Sequence, residues 1–290
     1  MAIASGRDDD RSGPPEAHRA ASVRAMDHWR GAPTACSAAE AVADISSGER
    51  VFIGSGAAEP VSLVSAMTER APELRDVSVL HIYTIGPAPY AEPGYEASFR
   101  HISFFVGANV REAVLEGRAD TVPIHLHEVP RMFEQHHRLD WALVQLSRPD
   151  RHGYCTVGVS ADVVVAAMRN ARRVVAELNP QMPRTHGNNQ IHISELHAVV
   201  DVDAPLPEVV PPEVDDTVRR IGENVASLVR DGDCLQAGIG SVPNAALAAL
   251  KASHMAPSAT ESVAEVFRRF GADEWDALRT RFNAGAAMGR

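Results

Sequence analysis

Three short segments of this chain carry residue types able to hold or activate an acyl group. The run Gly238-Ile239-Gly240-Ser241-Val242-Pro243-Asn244 lies where an apolar stretch gives way to helix-forming residues. Glycines at a strand-to-helix turn let backbone N–H groups approach a ligand, and the helix N-terminus adds partial positive charge. Such a loop suits a carboxylate, a phosphate or the oxyanion of a thioester adduct. A bare chain reversal would use the same glycines, so the pattern alone leaves both readings open. The run Gly54-Ser55-Gly56-Ala57-Ala58-Glu59-Pro60 repeats the arrangement earlier in the chain. Its glycines are expected to line a cleft, whereas Glu59 reads as a structural acid at a helix start, a place that favours acids anyway. The third segment, Arg184-Thr185-His186-Gly187-Asn188-Asn189, is dense in hydrogen-bond donors. His186 could exchange protons or simply satisfy buried backbone, and the asparagines have a local reason to be there, since they tolerate left-handed turns.

Other chemistries find less support. His125, His127, His136, His137 and His152 match no zinc spacing and have no cysteine pair beside them, so no metal site is expected. Ser55 and Ser160 lack a nucleophile-elbow context, so a serine hydrolase is not expected. Cys36, Cys155 and Cys234 are too scattered for a disulfide framework, which fits a reducing compartment. A formal net charge of −10 argues against nucleic acid as a partner. The sequence has neither an apolar run of membrane-spanning length nor a signal-peptide pattern at its start, so a cytoplasmic protein without a membrane partner is expected.

The elements that must position these segments alternate in type. Residues 1–24 are polar and read as a disordered leader. Ser37-Ala38-Ala39-Glu40 is a capping box opening a helix that Gly48 ends. Strands are predicted at Val51–Ile53, Ser78–Tyr83, Ile102–Phe105, Trp141–Ser147 and Arg173–Leu178. Helices are predicted at Val61–Thr68, Ala108–Glu116 and Ala161–Asn170. Short apolar strands alternating with helices imply an α/β domain with a parallel sheet, over 25–203. A proline-rich acidic connector, 204–214, marks a boundary. Beyond it, a helix Asp215–Val229, a strand Cys234–Ala237 and a helix Pro243–Leu250 read as the start of a second, similar domain over 215–250. Residues 251–290 read as a divergent helical tail, with apolar stripes Val263, Val266, Phe267, Phe270 and Trp275, Leu278, Phe282.

Two longer runs, Ser147 to Ser160 and Met182 to Leu196, together with Leu235 to Ala245, resemble signature segments of the acetyl-CoA hydrolase/transferase family, the class I CoA-transferases. The likeness extends from about Trp29 to Leu250 and includes Phe99 to Arg111 and Glu128 to Phe133. It implies a parallel-sheet CoA-transferase fold and a ping-pong transfer of CoA between an acyl-CoA and a short carboxylate such as acetate. In that chemistry a glutamate carboxylate attacks the thioester and becomes a glutamyl-CoA thioester, which splits one hard exchange into two easier steps. The resemblance implies coenzyme A and its acyl thioesters as substrates, with no permanently bound cofactor. It implies CoA contacts at Gly238, Gly240, Ser241, Val242 and Asn244, and an acyl pocket bordered by Gly54, Ser55, Gly56, Thr185, His186, Gly187 and Asn188. The nucleophile is expected about where Glu261 falls, 26 positions after Leu235 and behind a threonine. The surrounding residues do not match the family, and Ser258-x-x-Glu261 is itself a capping box, so both roles stand. A homo-oligomer, or a partner subunit completing the second domain, is expected. A non-catalytic acyl-CoA-binding subunit, an inactive truncated homologue and an acyl-CoA hydrolase are the rival functions.

Overall fold

Strand β6 (Leu139–Ser147) and strand β8 (Ala171–Asn179) are apolar on both faces, and that composition places them in the middle of a sheet covered on both sides. A computed structural model describes residues 32–209, 214–230, 233–238 and 240–254. The chain divides into two compact units, Met1–Val209 and Val210–Arg290, each described here by itself.

The first unit is built on an eight-stranded, all-parallel sheet. To β6 and β8 it adds β1 (Thr34–Ala35), β2 (Arg50–Ile53), β3 (Val77–His81), β4 (Phe99–Ser103), β5 (Ala119–Thr121) and β10 (Ala198–Asp201), in the order β1-β10-β8-β6-β2-β3-β4-β5. A separate antiparallel pair joins β7 (Tyr154–Thr156) to β9 (Gln190–His192). Helices α1 (Ala38–Ala41), α2 (Val61–Glu69), α3 (Arg111–Leu115), α4 (Val129–Gln135) and α5 (Val164–Asn170) complete the unit.

Side-chain alternation sorts the core into two layers. Val51 and Ile53 pack with Leu63, Val64 and Met67 of α2 on one face, joined by Trp141, Leu143 and Val175. Phe52 points the other way, into Phe133, Met132, Val164, Ala167 and Met168 of α4 and α5, with Ala142, Val144 and Ala176. Each such fully buried side chain contributes roughly 1.5–3 kcal/mol, so this double layer fixes where the strand ends lie.

The local signals hold where chemistry is explicit. Glu40 N–H donates to Ser37 Oγ at 3.3 Å and Ser37 N–H donates to Glu40 Oε2 at 2.9 Å, closing the capping box. Gly48 has φ +80°, but the helix expected to run up to it ends at Ala41 and gives way to turns. Boundaries move where tertiary partners intervene. The expected strand to Tyr83 stops at His81, and the β2–β3 register resumes only as an isolated parallel bridge between Gly56 and Thr84, where the Tyr83 carbonyl accepts the Gly56 N–H at 2.6 Å. The strand expected at Ile102–Phe105 runs over Phe99–Ser103 and pairs with β3 along its length. The helices expected from Ala108 and Ala161 start at Arg111 and Val164. Strands β1, β5, β7, β9 and β10 and helix α4 have no counterpart in the sequence reading; α4 begins on Val129-Pro130, where proline suits a first turn.

In the second unit, Asp215 caps α6 (Asp216–Ala226) by accepting the Val218 N–H at 2.7 Å. Helix α7 (Ser241–His254) packs on α6 at a crossing where a Cβ on Gly222 would lie 2.6 Å from the Ala245 carbonyl carbon. The strand expected at Cys234–Ala237 is absent: residues 233–238 are exposed and pair with no strand. A strand exists through its ladder, and the described residues of this unit supply no neighbour. The leader 1–24, Glu261 and the stripes from Val263 to Phe282 lie outside the described residues.

Candidate functional site

In an open parallel sheet, ligands bind outside the carboxyl ends of the strands, at the point where the strand order reverses direction. Here the order grows from β2 through β3 and β4 on one side and from β6 through β8 and β10 on the other. The reversal falls between β2 and β6. The loop leaving β2 is Gly54-Ser55-Gly56, so the earlier of the two glycine turns sits at the switch point.

That loop is held tightly. Gly54 N–H donates to the Leu143 carbonyl at 2.9 Å, prolonging the β2–β6 pairing by one step. A Cβ on Gly54 would lie 3.0 Å from the Ala58 carbonyl oxygen and 3.5 Å from Val144 Cα. Gly56 has φ +60°, and a Cβ there would lie 2.5 Å from Ser160 Oγ. Both glycines are therefore required by close approach or by left-handed backbone. Ser55 is buried, and its Oγ has no hydrogen-bond partner among the described residues. A buried hydroxyl without a partner costs about 1–3 kcal/mol, which calls for an explanation such as a ligand.

The two longer signature runs meet each other through the β7–β9 pair, with Tyr154 opposite His192 and Thr156 opposite Gln190. Most of their polar groups serve this junction. Arg184 donates to the carbonyls of Arg148 and Tyr154, at 3.0 and 2.9 Å. Asp150 Oδ1 accepts from His152 N–H and Tyr154 N–H, both at 2.9 Å; these bonds hold its carboxyl below the usual carboxylate range, aided by Arg184. The ring of Tyr154 stands edge-on to His192 at 5.0 Å. Thr185 Oγ1 donates to the Gly158 carbonyl at 3.0 Å and accepts from Asn189 Nδ2 at 2.6 Å. His186, Gly187 and Asn188 are exposed. The segment 156–160 thus touches Gly56 through Ser160 and Thr185 through Gly158, bringing two of the expected substrate segments to one stretch of backbone.

Glu59, read from sequence as a structural acid at a helix start, is fully buried two positions ahead of α2. Its Oε2 accepts the Gly86 N–H at 2.8 Å, and Oε1 has no hydrogen-bond partner among the described residues. Burial pushes its pKa up to about 7, against the opposing pull of the Gly86 N–H and the Thr84 hydroxyl. Glu177 of β8 is buried too, and its pKa is raised by desolvation. It caps α2 from outside, accepting Ser62 Oγ at 2.6 Å and Leu63 N–H at 2.9 Å. The signal for these groups was present in the sequence: Gln145, Glu177 and Asn179 are polar interruptions near the ends of otherwise apolar strands.

The second glycine turn is open. Gly238 and Gly240 are exposed, with Gly240 at φ +133°. Val242 and Asn244 are exposed and Ser241 is half-buried on α7, and Asn244 N–H donates to the Gly240 carbonyl at 3.1 Å. Among the described residues no group of three His, Cys, Asp or Glu side chains is placed to hold a metal. A depression of about 520 Å³ is lined by Thr34, Asp44, Trp141 and Arg173, toward the amino ends of the strands. Arg173 already pairs with Asp44 at 2.6 Å and stacks on Trp141, and this hollow lies away from the switch point.

A doubly wound parallel sheet with a glycine loop at its switch point defines a ligand-binding α/β protein. Residues 33–211 match the acetyl-CoA hydrolase/transferase N-terminal domain, and the chain belongs to that family. It is 41% identical over 215 residues to the 4-hydroxybutyrate coenzyme A transferase of Clostridium kluyveri, covering 74% of this chain and 50% of that protein. It is 42% identical over 207 residues to the succinyl-CoA:acetate/propanoyl-CoA:succinate CoA transferase of Fasciola hepatica, covering 70% of this chain and 43% of that one. The crystal structure of 4-hydroxybutyrate CoA-transferase from Porphyromonas gingivalis superposes with a TM-score of 0.62 at 40% identity, over 76% of this chain and 51% of that one. The chain spans about half the length of the curated relatives it matches.

Proposed function

We propose that this chain takes part in moving CoA between an acyl-CoA, of the acetyl-CoA type, and a short-chain carboxylate. The observation that carries the reading is the Gly54–Gly56 loop at the switch point of a family-defining sheet, with the Ser55 hydroxyl buried and unpartnered beneath it. In this reading Gly54, Ser55 and Gly56 border the acyl group, and Thr185, His186, Gly187 and Asn188 line its approach. Gly238, Gly240, Ser241, Val242 and Asn244 offer N–H groups and a helix N-terminus to CoA or to an oxyanion. Glu261 is the proposed nucleophile. Its carboxylate oxygen bonds to the acyl carbon and CoA leaves as the thiolate. The thiolate then attacks the glutamyl carbonyl and releases the acyl group as a carboxylate. The acceptor carboxylate reverses both steps, and no net proton is taken up. No permanent cofactor is invoked, and no helix among the described residues is long and apolar enough to cross a membrane. We place the protein in the cytoplasm, in acetate-type metabolism, as a homo-oligomer or with a subunit completing its second unit.

A second reading, a non-catalytic acyl-CoA-binding subunit, is favoured by one observation: residues 233–238 have no partner strand among the described residues. Intact-mass analysis after incubation with acetyl-CoA separates the two. A CoA adduct that disappears in Glu261→Gln supports transfer. Folded protein that stays unmodified supports the binding subunit, and water-dependent loss of the adduct without an acceptor identifies a hydrolase.

A further inference from the structure

A chain of buried and part-buried hydrogen bonds crosses the carboxyl edge of the sheet and joins the exits of six strands. Asn109, beyond β4, donates through Nδ2 to Thr84 Oγ1 and to the Gly86 carbonyl, both at 2.9 Å, beyond β3. Gly86 N–H donates to Glu59 Oε2 at 2.8 Å, beyond β2. The Glu59 carbonyl accepts Gln145 Nε2 of β6 at 2.7 Å. Gln145 Oε1 accepts Asn179 Nδ2 of β8 at 2.8 Å, and the same nitrogen donates to the Ala204 carbonyl, beyond β10, at 2.8 Å. Glu59, Thr84, Gln145 and Asn179 are all buried. Glu59 is the one ionisable link, and it contributes both its side chain and its backbone.

We propose that Glu59 is a positioning residue for the switch-point crevice, its carboxyl fastening the loop that leaves β2 to the loop that leaves β3. The fit is close on both sides of that bond. A Cβ on Gly86 would lie 2.6 Å from Glu59 Oε2, so only glycine brings the amide so near. The loops also meet directly, with Gly56 N–H on the Tyr83 carbonyl and Ile85 N–H on the Gly56 carbonyl at 3.3 Å. Releasing the carboxyl leaves those two bonds as the remaining backbone links between the loops, on the glycine that borders the proposed acyl site.

The surroundings decide which protonation state makes the tie. Glu177 faces Glu59 from β8 and raises its pKa, but Glu177 is itself supported by the donors of α2. From the β3 side come the Thr84 hydroxyl and the Tyr90 phenol; behind Tyr90 the ring of His81 stacks on His101 of β4 at 4.2 Å. Burial holds both histidines neutral, and Tyr90 is held neutral as well, so none of these groups offers Glu59 a positive charge. Desolvation therefore favours the neutral carboxyl in this crevice, which still accepts the Gly86 amide, and ionisation buries a charge that the Gly86 N–H and the Thr84 hydroxyl offset only in part.

The substrate consequence rests on the CoA-transfer reading, but the tie does not, and hydrogen–deuterium exchange on the full chain without ligand tests it alone. In Glu59→Ala, segments 54–60 and 82–88 should exchange at least tenfold faster, with 154–156 and 190–192 unchanged. Glu59→Gln, a neutral acceptor of the same shape, should restore protection. After correction for intrinsic rates, wild-type protection at 82–88 should fall as pH rises from about 4.5 through about 7 and level off above, and Glu59→Gln should lack that fall. Unchanged exchange at 82–88 in Glu59→Ala, or equal pH dependence in the wild type and Glu59→Gln, overturns the proposal. If Glu59→Ala does not fold, the pH comparison with Glu59→Gln decides. Acetyl-CoA titration then adds the functional arm: binding at least tenfold weaker in Glu59→Ala than in Glu59→Gln is expected, and equal binding overturns the positioning role. A wild type that binds no acetyl-CoA refutes the CoA-transfer reading, while the exchange arms still decide the tie.

Discussion

Two glycine turns lead into helices in this chain, and their surroundings differ. Gly54–Gly56 leaves a strand flanked on both sides, with backbone atoms within 3.5 Å of where a Gly54 Cβ would be and a serine against Gly56. Gly238 and Gly240 are exposed, and the nearest atom to a Gly238 Cβ would be Pro243 Cγ at 3.8 Å. The first turn is shaped by neighbouring strands, and the second has its helix but, among the described residues, no ladder. A glycine turn becomes a defined site only when the sheet around it fixes where its N–H groups point.

The largest test of that contrast removes the support on each side. Phe133 is fully buried against Phe52, at a ring separation of 5.6 Å, beneath the sheet that carries the first turn. Phe133→Ala should cost about 3–5 kcal/mol in urea unfolding. Leu247→Ala, on the exposed face of α7, should cost less than about 1 kcal/mol. Comparable losses would mean that the second unit is as tightly packed as the first.

Next in size is the pH dependence of the first unit. Glu59 has its pKa raised from 4.5 to about 7 in the folded protein, so its stabilising effect is complete below about 4.5 and is lost as pH rises through about 7. The stability of the wild type relative to Glu59→Gln should therefore fall by up to about 3 kcal/mol across that window. Glu177, also raised, is common to both proteins and enters the difference only through its repulsion of Glu59, which adds to the fall. A difference that is flat with pH, or that rises, would contradict the buried neutral carboxyl.

The smallest test compares the glycines themselves. Gly54→Ala forces a methyl to 3.0 Å from a backbone oxygen and should destabilise by about 1–3 kcal/mol. Gly238→Ala meets open space and should stay within about 1 kcal/mol of the wild type, in either direction. Matching effects in urea unfolding would erase the distinction between the turns.

The sequence displayed the sheet's centre clearly, because β2, β6 and β8 are buried on both faces and carry no alternation to confuse them. The Ser37 cap was equally legible, being local chemistry. Edge strands β1 and β5, of two and three residues, were not, since only their neighbours define them. At the site, the glycines were visible and the chain of hydrogen bonds across the strand ends was not. Glu59 reads as a helix-start acid until the β3 loop is folded over it, and Gln145 and Asn179 acquire meaning only when β6 and β8 are adjacent. The segment 184–189 shows the opposite: its dense donors suggested a binding surface, yet Arg184, Thr185 and Asn189 bond chiefly within the β7–β9 junction.

Hydrogen–deuterium exchange of the full chain with and without saturating acetyl-CoA tests most directly whether the switch point is the substrate site. The account predicts added protection at 54–60 and in the adjoining 156–160 segment, with the hollow around Thr34 and Arg173 unaffected. Protection confined to that hollow, or none at 54–60 with binding shown independently, would contradict it.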